Sequence, residues 1–426
     1  MNSFVLKGDV AYSISKDKTA YTENAYLICI EGKSKGVFQK LPESYASLPL
    51  FDYTGKLIIP GLVDLHIHAP QFAYRGLGMD MELLDWLNTY AFPEESKYAD
   101  LAYAEKAYEI FANAMKKSAT TRACIFATLH RQATELLMRK LEGTGLCAYV
   151  GKVNMDRNSP DFYREASAKA SMEETEQWIF ETAGYFQNVR PILTPRFVPS
   201  CTDELMEALG ALSRKYSLPV QSHLSENKGE IEWVRELAPD SPFYGAVYDQ
   251  YGLFGEPQKT VMAHCVYSTD EEMERMKQRG IFVAHCPASN MNVASGIAPI
   301  RKYLDNGLKI GLGSDVAGGH TESLFTTMVE TIQNAKLYWR VVNSGMKPLK
   351  FEEVFFLATK GGGEFFGKVG SFEEGYEFDA LVFDDKTIAH PQPLTLPQRL
   401  ERLVYLGGDR RCMEAKFIKG ENVFNS

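Results

Sequence analysis

Histidine and aspartate side chains that end short apolar segments are the residues of this sequence best suited to chemistry. His66 and His68 end one such segment, and side chains two positions apart on a β-strand point to the same side. His223, His264 and Asp315 each end another segment. Three neutral imidazoles and one carboxylate form a ligand set that suits Zn²⁺ or Fe²⁺ and leaves positions open for water. The pattern predicts a metal centre, with two hydrogen-bonded core histidines as the alternative for the His-Ile-His pair.

A metal at this position predicts hydrolytic chemistry, because a bound divalent ion lowers the pKa of water from about 15.7 toward about 7. The predicted ligands are His66, His68, His223 and Asp315. Glu226 lies three residues beyond His223 and could move protons from the water to a ring nitrogen and a leaving amine. His264 could hydrogen-bond the attacking water, and Asp315 could orient it. The alternative for Glu226 is a solvated carboxylate at a helix N-terminus, where negative charge is favoured.

Alternating apolar and amphipathic segments must position these side chains. Such alternation is typical of βαβ units and a parallel sheet. Eight strands in about 250 residues favour a (β/α)8 barrel of the TIM type, whose active sites lie at the C-terminal ends of the strands. The predicted strands are 62–67, 121–127, 147–154, 189–194, 219–223, 260–264, 281–285 and 309–313. The predicted helices are 101–116, 132–141, 173–186, 203–216, 228–237, 270–279 and 298–305.

Two flanking segments differ from this alternation. Residues 1–60 and 366–426 contain short strand-like pieces separated by Gly, Asp and Asn. We therefore predict a small β-sandwich domain built from both termini and a hydrolase barrel over residues 61–365. The sequence contains neither a GxGxxG dinucleotide fingerprint nor a GxxxxGK[ST] phosphate loop, which argues against nucleotide-cofactor chemistry.

Composition limits the classes of partner. Lys and Arg number 46 against 55 Asp and Glu, a net charge of −9, and no basic run stands out. We therefore expect neither a nucleic-acid polymer nor a membrane as a partner, whereas a single nucleobase is compatible with this charge. The seven cysteines are scattered without a CxxC pair, as is typical of reduced thiols. Because only three apolar residues in a row precede Lys7, we expect no signal peptide and a cytoplasmic location.

Several motifs resemble those of the metal-dependent amidohydrolase superfamily and, within it, of the guanine deaminases. They are PGLVDLHIHAPQ, QSHLSE, MAHC, AHCPASN and GLGSDVAGG, and the resemblance runs from about Lys56 to Asp379. The HxH pattern is shared across the superfamily, whereas HAPQ, LTPRF and SHxSE are more specific to guanine deaminases. The resemblance implies the same four ligands and one metal ion, zinc before iron. A lysine that would bridge two ions is missing from 194–197, and Lys152 on the third strand is in the wrong position for that bridge.

The resemblance also implies the substrate and its contacts. The residues that it assigns to the substrate are Gln71, Arg196, Phe197, His68, His223, Glu226 and Asp315. An amide can match a purine edge, a guanidinium fork matches O6 and N7 of guanine, and an aromatic face stacks on a base. The implied reaction is attack of water at C2 of guanine, giving xanthine and ammonia in purine catabolism. We further expect a homodimer.

Other interpretations remain open from the sequence alone. Arg196 could be a surface charge and Phe197 a core residue. The same machinery could act on an s-triazine, another nucleobase or an adenosine derivative, and a relative without its metal could serve only in assembly. His130, interpreted as ending the second strand, could line the pocket, and His285 could support a ligand or be structural.

Overall fold

The computed structural model describes residues 3–424, whose strands form an eight-stranded sheet, a seven-stranded sheet and a two-stranded pair. The first two and last two residues of the predicted terminal domain, 1–2 and 425–426, lie outside the described residues. The strands are β1 (Phe4–Ser15), β2 (Lys18–Ile30), β3 (Lys33–Phe38), β4 (Leu50–Pro60), β5 (Leu62–His68), β6 (Thr120–Phe126), β7 (Cys147–Gly151), β8 (Val153–Asn154), β9 (Val189–Pro191), β10 (Thr194–Pro195), β11 (Val220–Leu224), β12 (Thr260–His264), β13 (Phe282–His285), β14 (Lys309–Leu312), β15 (Ala380–Phe383), β16 (Met413–Ile418) and β17 (Glu421–Asn422).

The α-helices lie mainly between the strands of the larger sheet. They are α1 (Leu83–Trp86), α2 (Phe92–Ser96), α3 (Leu101–Lys117), α4 (Arg131–Glu142), α5 (Ala168–Thr182), α6 (Asp203–Tyr216), α7 (Lys228–Leu237), α8 (Tyr244–Gln250), α9 (Asp270–Gln278), α10 (Pro287–Asn292), α11 (Ile300–Asp305), α12 (Leu324–Leu337), α13 (Phe351–Phe356) and α14 (Leu396–Tyr405). A helical turn over Leu87–Ala91 joins α1 to α2, so residues 83–96 form one continuous helical segment.

The eight-stranded sheet is the predicted barrel. Its parallel strands follow the order β11-β12-β13-β14-β5-β6-β7-β9. Leu193 closes the ring, because its N–H donates to the Pro219 carbonyl and its carbonyl accepts from the Gln221 N–H. Strands β5, β6, β11, β12 and β13 are buried at every position, as expected where helices cover one face and side chains fill the other. The predicted (β/α)8 fold is confirmed.

Local capping explains where the outer helices begin. The Asp100 carboxylate accepts a hydrogen bond from the Ala102 N–H at the start of α3. The predicted helix 173–186 is displaced, since α5 covers Ala168–Thr182. The Ser167 hydroxyl oxygen accepts from the Ala170 N–H and starts that helix earlier, and the extended backbone of Ala183 ends it.

The seven-stranded sheet combines both ends of the chain, in the order β17-β16-β15-β4-β1-β2-β3. The rings of Phe4 on β1 and Phe417 on β16 have centroids 5.2 Å apart, although β4 and β15 separate these strands. The sheet therefore curves around its own apolar core, which also contains Phe372 and Phe378. One continuous curved sheet thus encloses the core expected of the predicted sandwich. The boundaries predicted at residues 60 and 366 stay a prediction.

Buried polar contacts join this sheet to the barrel. The guanidinium of Arg122 on β6 donates to Asp379 through Nε at 2.6 Å and Nη2 at 2.9 Å. The ammonium of Lys416 on β16 donates to the carbonyl oxygens of Met115 at 3.0 Å and Ser118 at 2.9 Å, at the C-terminal end of α3. Arg122, Asp379 and Lys416 are all buried, so these contacts lie inside the interface between the sheet and the barrel.

Within residues 3–424, no helix combines the length and apolar character that crossing a membrane requires.

Candidate metal centre and substrate pocket

The ends of four barrel strands bring the predicted chemical residues to one point. His66 and His68 lie at the end of β5, His223 is in β11, His264 ends β12, and Asp315 follows β14. All five side chains are buried. His264 and Asp315 have φ of 71° and 46°, a left-handed conformation that non-glycine residues adopt at an energetic cost and that is common at functional sites. The backbone is therefore bent at the position where these side chains turn inward.

The four predicted ligand atoms converge. The Nε2 atoms of His66 and His68 are 3.2 Å apart, and those of His68 and His223 are 3.3 Å apart. Asp315 Oδ1 lies 3.1 Å from His66 Nε2 and 3.4 Å from His68 Nε2. Ligand atoms at about 2.0–2.2 Å from a zinc ion stand about 2.8–3.6 Å from one another in its four- and five-coordinate geometries. The residues present therefore fit a divalent metal ion.

Burial and hydrogen bonds favour the metal-binding forms of these side chains. Burial, followed by the neighbouring His66, lowers the pKa of His68 and of His223 well below the usual value, so both rings are neutral. Burial alone would raise the pKa of Asp315, but the electrostatic attraction and hydrogen bond of His66, followed by the attraction of His264, hold it well below its usual range. The Nδ1–H of His223 donates to the Arg196 carbonyl oxygen at 2.6 Å, which leaves the lone pair on Nε2.

Glu226 and His264 face each other beside the ligands. Glu226 Oε2 lies 3.4 Å from His264 Nε2, and Glu226 Oε1 accepts from the Ser295 hydroxyl at 3.3 Å. The Nδ1–H of His264 donates to Asn290 Oδ1 at 2.9 Å, so Nε2 is the ring nitrogen that faces Glu226. Burial raises the pKa of Glu226 well above its usual value, and the nearby Glu230 carboxylate acts in the same direction. Such a carboxyl group can both accept and return a proton.

The residues predicted to contact substrate line a pocket next to the ligands. Gln71, Arg196 and Phe197 are buried, so Arg196 is not the surface charge that the sequence left open. Arg196 pairs with Glu95, through Nη1 to Oε2 at 2.5 Å and Nη2 to Oε1 at 3.0 Å. Gln71 Nε2 donates to Glu95 Oε1 at 2.8 Å, and Gln71 Oε1 accepts from the Ala317 N–H at 3.0 Å. Glu95 therefore holds both predicted substrate residues.

Sequence reasoning missed several residues of this site. Leu83, Trp86 and Leu87, from the helical segment after β5, cover the pocket. Glu95, from the same segment, has no recognisable motif in the sequence. Asn290 lies in the motif AHCPASN, which was a usable signal, but its contact with His264 could not be derived from spacing.

Three other residues considered at the sequence level lie elsewhere in the described structure. His130 is four residues beyond the end of β6 and immediately precedes α4, so its interpretation as a strand end is wrong. It packs against Tyr163, with ring centroids 5.8 Å apart. His285 ends β13 and is buried, and burial, followed by the nearby His264, lowers its pKa to about 3. Lys152 forms a buried ion pair with Glu165, consistent with its exclusion as a metal bridge.

Comparisons with known proteins agree with this geometry. The guanine deaminase of Dictyostelium discoideum is 38% identical to this chain over 98% of both sequences. The guanine deaminase of Mus musculus is 38% identical over 86% of this chain and 83% of its own length. A crystal structure of guanine deaminase from C. acetobutylicum with guanine in its active site is 46% identical, has a TM-score of 0.96, and matches over 99% of this chain and 100% of that one.

The family comparison covers most of the chain. The amidohydrolase family matches residues 57–423, which include the eight barrel strands and the buried His/Asp group that could hold a metal ion. The barrel, the site at its strand ends and this match lead to one conclusion. The chain belongs to the amidohydrolase family.

Proposed function

We propose that this protein is a guanine deaminase, a hydrolase that acts on a C–N bond of a cyclic amidine. Water adds at C2 of guanine, the C2–N bond to the amino group breaks, and xanthine and ammonia leave. The observation that carries the proposal is that Glu226 and His264, 3.4 Å apart, line one pocket together with predicted metal ligands and with Gln71 and Arg196. The similarity to guanine deaminases over nearly the whole chain supports the same reaction.

We propose one divalent ion at this centre, zinc in preference to iron. The residues that would hold it are His66, His68, His223 and Asp315. When bound, a divalent ion acts as a Lewis acid that makes water acidic enough to supply hydroxide near neutral pH. A set of imidazoles and one carboxylate, with Cys286 present only as a buried thiol of raised pKa, suits Zn²⁺ or Fe²⁺.

Proton movement is assigned to Glu226. Its carboxylate takes one proton from the attacking water and delivers it to a nitrogen of the purine ring. It then takes the remaining proton of the hydroxyl that has added at C2 and passes it to the amine, which leaves as ammonia. Burial and the Glu230 carboxylate raise the pKa of Glu226, which suits this exchange because a carboxyl group with a raised pKa holds a proton more readily and can then return it. The Ser295 hydroxyl, 3.3 Å from Oε1, helps hold the carboxylate in place.

His264 and Asp315 orient the reacting atoms. His264 Nε2 lies 3.4 Å from Glu226 Oε2 and 3.6 Å from Asp315 Oδ2, so a water held between the two carboxylates would lie next to it. The Nδ1–H bond to Asn290 keeps Nε2 as an acceptor for that water. The other carboxylate oxygen of Asp315, Oδ2, is not the predicted ligand atom and can accept a hydrogen bond from the same water.

Substrate contacts are assigned to Gln71, Arg196 and Phe197. His68, His223, Glu226 and Asp315 complete the substrate-facing surface. The free N–H groups of Gln71 and Arg196 bind acceptors on the base, and the Phe197 ring packs on it.

A panel of substrates tests the proposal. The purified, metal-loaded protein is offered guanine, adenine, cytosine and melamine, and ammonia release is measured for each. We expect guanine to give the highest kcat/KM. Greater activity on melamine or cytosine would favour the s-triazine or other nucleobase hydrolases as the correct class, and metal analysis of the active protein distinguishes zinc from iron.

We also propose a cytoplasmic homodimer. The seven cysteines, all within residues 3–424, are buried and form no disulfide, which is compatible with a reducing compartment. Leu337, Val341 and Val342, at the end of α12 and the turn that follows, are 48%, 74% and 59% exposed and offer an apolar contact surface. Sedimentation of the purified protein at twice the monomer mass, and recovery in the cytosolic fraction, are the expected results.

A further inference from the structure

Glu95 is a fully buried carboxylate that the proposed reaction does not use. It lies in α2, on the segment between β5 and α3, and its side chain is 0% exposed. Its two oxygens accept three hydrogen bonds, two from Arg196 and one from Gln71. A buried acidic side chain that accepts hydrogen bonds from two predicted substrate residues in this way is placed to control them.

The first consequence concerns the amide of Gln71. A glutamine side chain can present either its oxygen or its NH2 group, depending on which way the amide is turned. Here the Ala317 N–H donates to Oε1, and Nε2 donates one hydrogen to Glu95. Both contacts require the same orientation. The amide therefore has one N–H left for the pocket and presents it as a donor.

The second consequence concerns the guanidinium of Arg196. Two of its N–H groups point in parallel to the Glu95 carboxylate, which is the most directional arrangement for this pair. The plane also lies against Phe92, with Cζ 4.9 Å from the ring centroid. A guanidinium has no acceptor, so its remaining N–H groups are also donors. The wall formed by Gln71 and Arg196 therefore offers donors to whatever base binds there.

We propose that Glu95 is a positioning residue that gives this wall its donor character and thereby selects 6-oxopurines over 6-aminopurines. The inference rests on the proposed function. A 6-oxopurine presents two acceptors, O6 and N7, on one edge, whereas a 6-aminopurine presents a donor at position 6. A wall of donors matches the first edge and opposes the second.

Replacing Glu95 by Gln tests this mechanism directly. Glutamine has nearly the same shape, but its NH2 group would face the donors of Arg196, and the buried guanidinium would lose its counter-charge. Both Arg196 and the Gln71 amide would then be free to change orientation. The wall would lose its single polarity, while the predicted metal ligands, none of which is among these hydrogen-bond partners of Glu95, would keep their own contacts.

The assay compares two substrates with the same reacting amino group. Guanine and 2,6-diaminopurine both carry an amine at C2. They differ at C6, as oxo against amino, and at the adjacent N1, which carries a hydrogen only in guanine. We expect the ratio of their kcat/KM values to fall roughly tenfold to a hundredfold in E95Q, mainly through a higher KM for guanine, with unchanged metal content. A merely structural role for Glu95 would lower both activities together and leave the ratio unchanged.

Equilibrium binding gives a readout that needs no turnover. Hypoxanthine keeps the 6-oxo edge but has no amine at C2, so it binds without reacting. Calorimetry should show at least roughly tenfold weaker hypoxanthine binding to E95Q than to the parent protein. The matched control is E165Q, which neutralises another buried carboxylate paired with a basic side chain, Lys152, outside the pocket. It should leave both the substrate ratio and hypoxanthine binding unchanged.

Two outcomes separate this inference from the proposed function. If the parent protein does not deaminate guanine, the proposed function is wrong, whereas hypoxanthine binding still reports on Glu95. If the parent protein is active but E95Q keeps the substrate ratio and the hypoxanthine affinity within about twofold, the inference is wrong. Should circular dichroism show that E95Q is unfolded, E95D carries the same test, because it keeps the charge and withdraws the carboxylate by one methylene.

Discussion

Substitution of Glu226 by Gln isolates the proton-transfer step from metal binding. The Glu226 oxygens contact the Ser295 hydroxyl at 3.3 Å and His264 Nε2 at 3.4 Å, and neither is a contact to a predicted ligand atom. A glutamine fits the same space and can still accept from Ser295 through its amide oxygen. It cannot, however, take a proton from water. The variant should therefore fold, bind metal and bind guanine, but fail at chemistry.

The size of the effect follows from the role. A positioned general acid–base group contributes about 10²–10⁴ in rate, which corresponds to about 2.7–5.5 kcal/mol in the activation barrier. Here one group serves both the water and the leaving amine, so we expect a loss in kcat toward the upper end of that range. KM for guanine should change by less than about threefold, since Gln71 and Arg196 are untouched and glutamine keeps the size of Glu226 on the substrate-facing surface.

The assay is steady-state xanthine formation from guanine, with metal content measured on the same samples. A matched control is Glu272→Gln, which neutralises a buried carboxylate that accepts from the Ser225 hydroxyl and the Gly245 N–H. The control should lose stability and little of its kcat. If Glu226→Gln keeps kcat within about fivefold of the parent with full metal content, the assignment of proton transfer to Glu226 is refuted.

Three further changes test other parts of the structure. His223→Ala removes a predicted ligand, so the purified variant should hold at least roughly tenfold less metal than Glu226→Gln, and equal metal content in the two would contradict the ligand set. Burial raises the pKa of Glu330 from its ordinary 4.5 to about 7, and within the described residues its Oε2 has no hydrogen-bond partner. The folded protein therefore binds the Glu330 proton more tightly than the unfolded chain does. The stability that comes from this protonation is lost as pH rises from 4.5 to about 7. The free energy of unfolding of Glu330→Gln, measured with denaturant, should equal that of the parent near pH 4.5 and exceed it by at most about 3 kcal/mol above pH 7. A difference that stays constant across pH would speak against this origin. Gly319→Ala places a Cβ 1.9 Å from the carbonyl oxygen of Ser314, the residue before the predicted ligand Asp315. Chelator titration should therefore show weaker metal retention. Unchanged retention would show that the backbone at Gly319 does not position the ligand.

The barrel and its ligands could be predicted from the sequence because both depend on short-range patterns. A parallel strand buried on both faces is a continuous apolar run, and His66 or His264 at its end needs no further information to be placed at the barrel mouth. Helix α12 was not predicted. Its residues are buried on several sides, including Phe325, Thr331 and Asn334, so it lacks the amphipathic spacing that marks a surface helix.

Glu95 could not be found for a different reason. In the sequence it stands in a Pro-Glu-Glu-Ser segment that is typical of an exposed first turn of a helix. Its partner Arg196 is 101 residues away, and only the packing of the helical segment 83–96 over the barrel brings the two together. Gln71 and Arg196 were assigned through a resemblance, and the side chain that holds them lies outside the motifs on which the resemblance depends.

The join between the barrel and the terminal sheet has a consequence for biosynthesis. Arg122 is synthesised long before Asp379, and the carbonyl groups at the end of α3 long before Lys416. While the chain is still on the ribosome, Arg122 therefore lacks its carboxylate partner Asp379, and the carbonyl groups at the end of α3 lack the donor Lys416. The final packing of the barrel must wait for the last segment of the chain to emerge. Translation that stops before Asp379 would leave a barrel that has all its metal ligands and yet is incomplete, and such fragments are natural clients of chaperones.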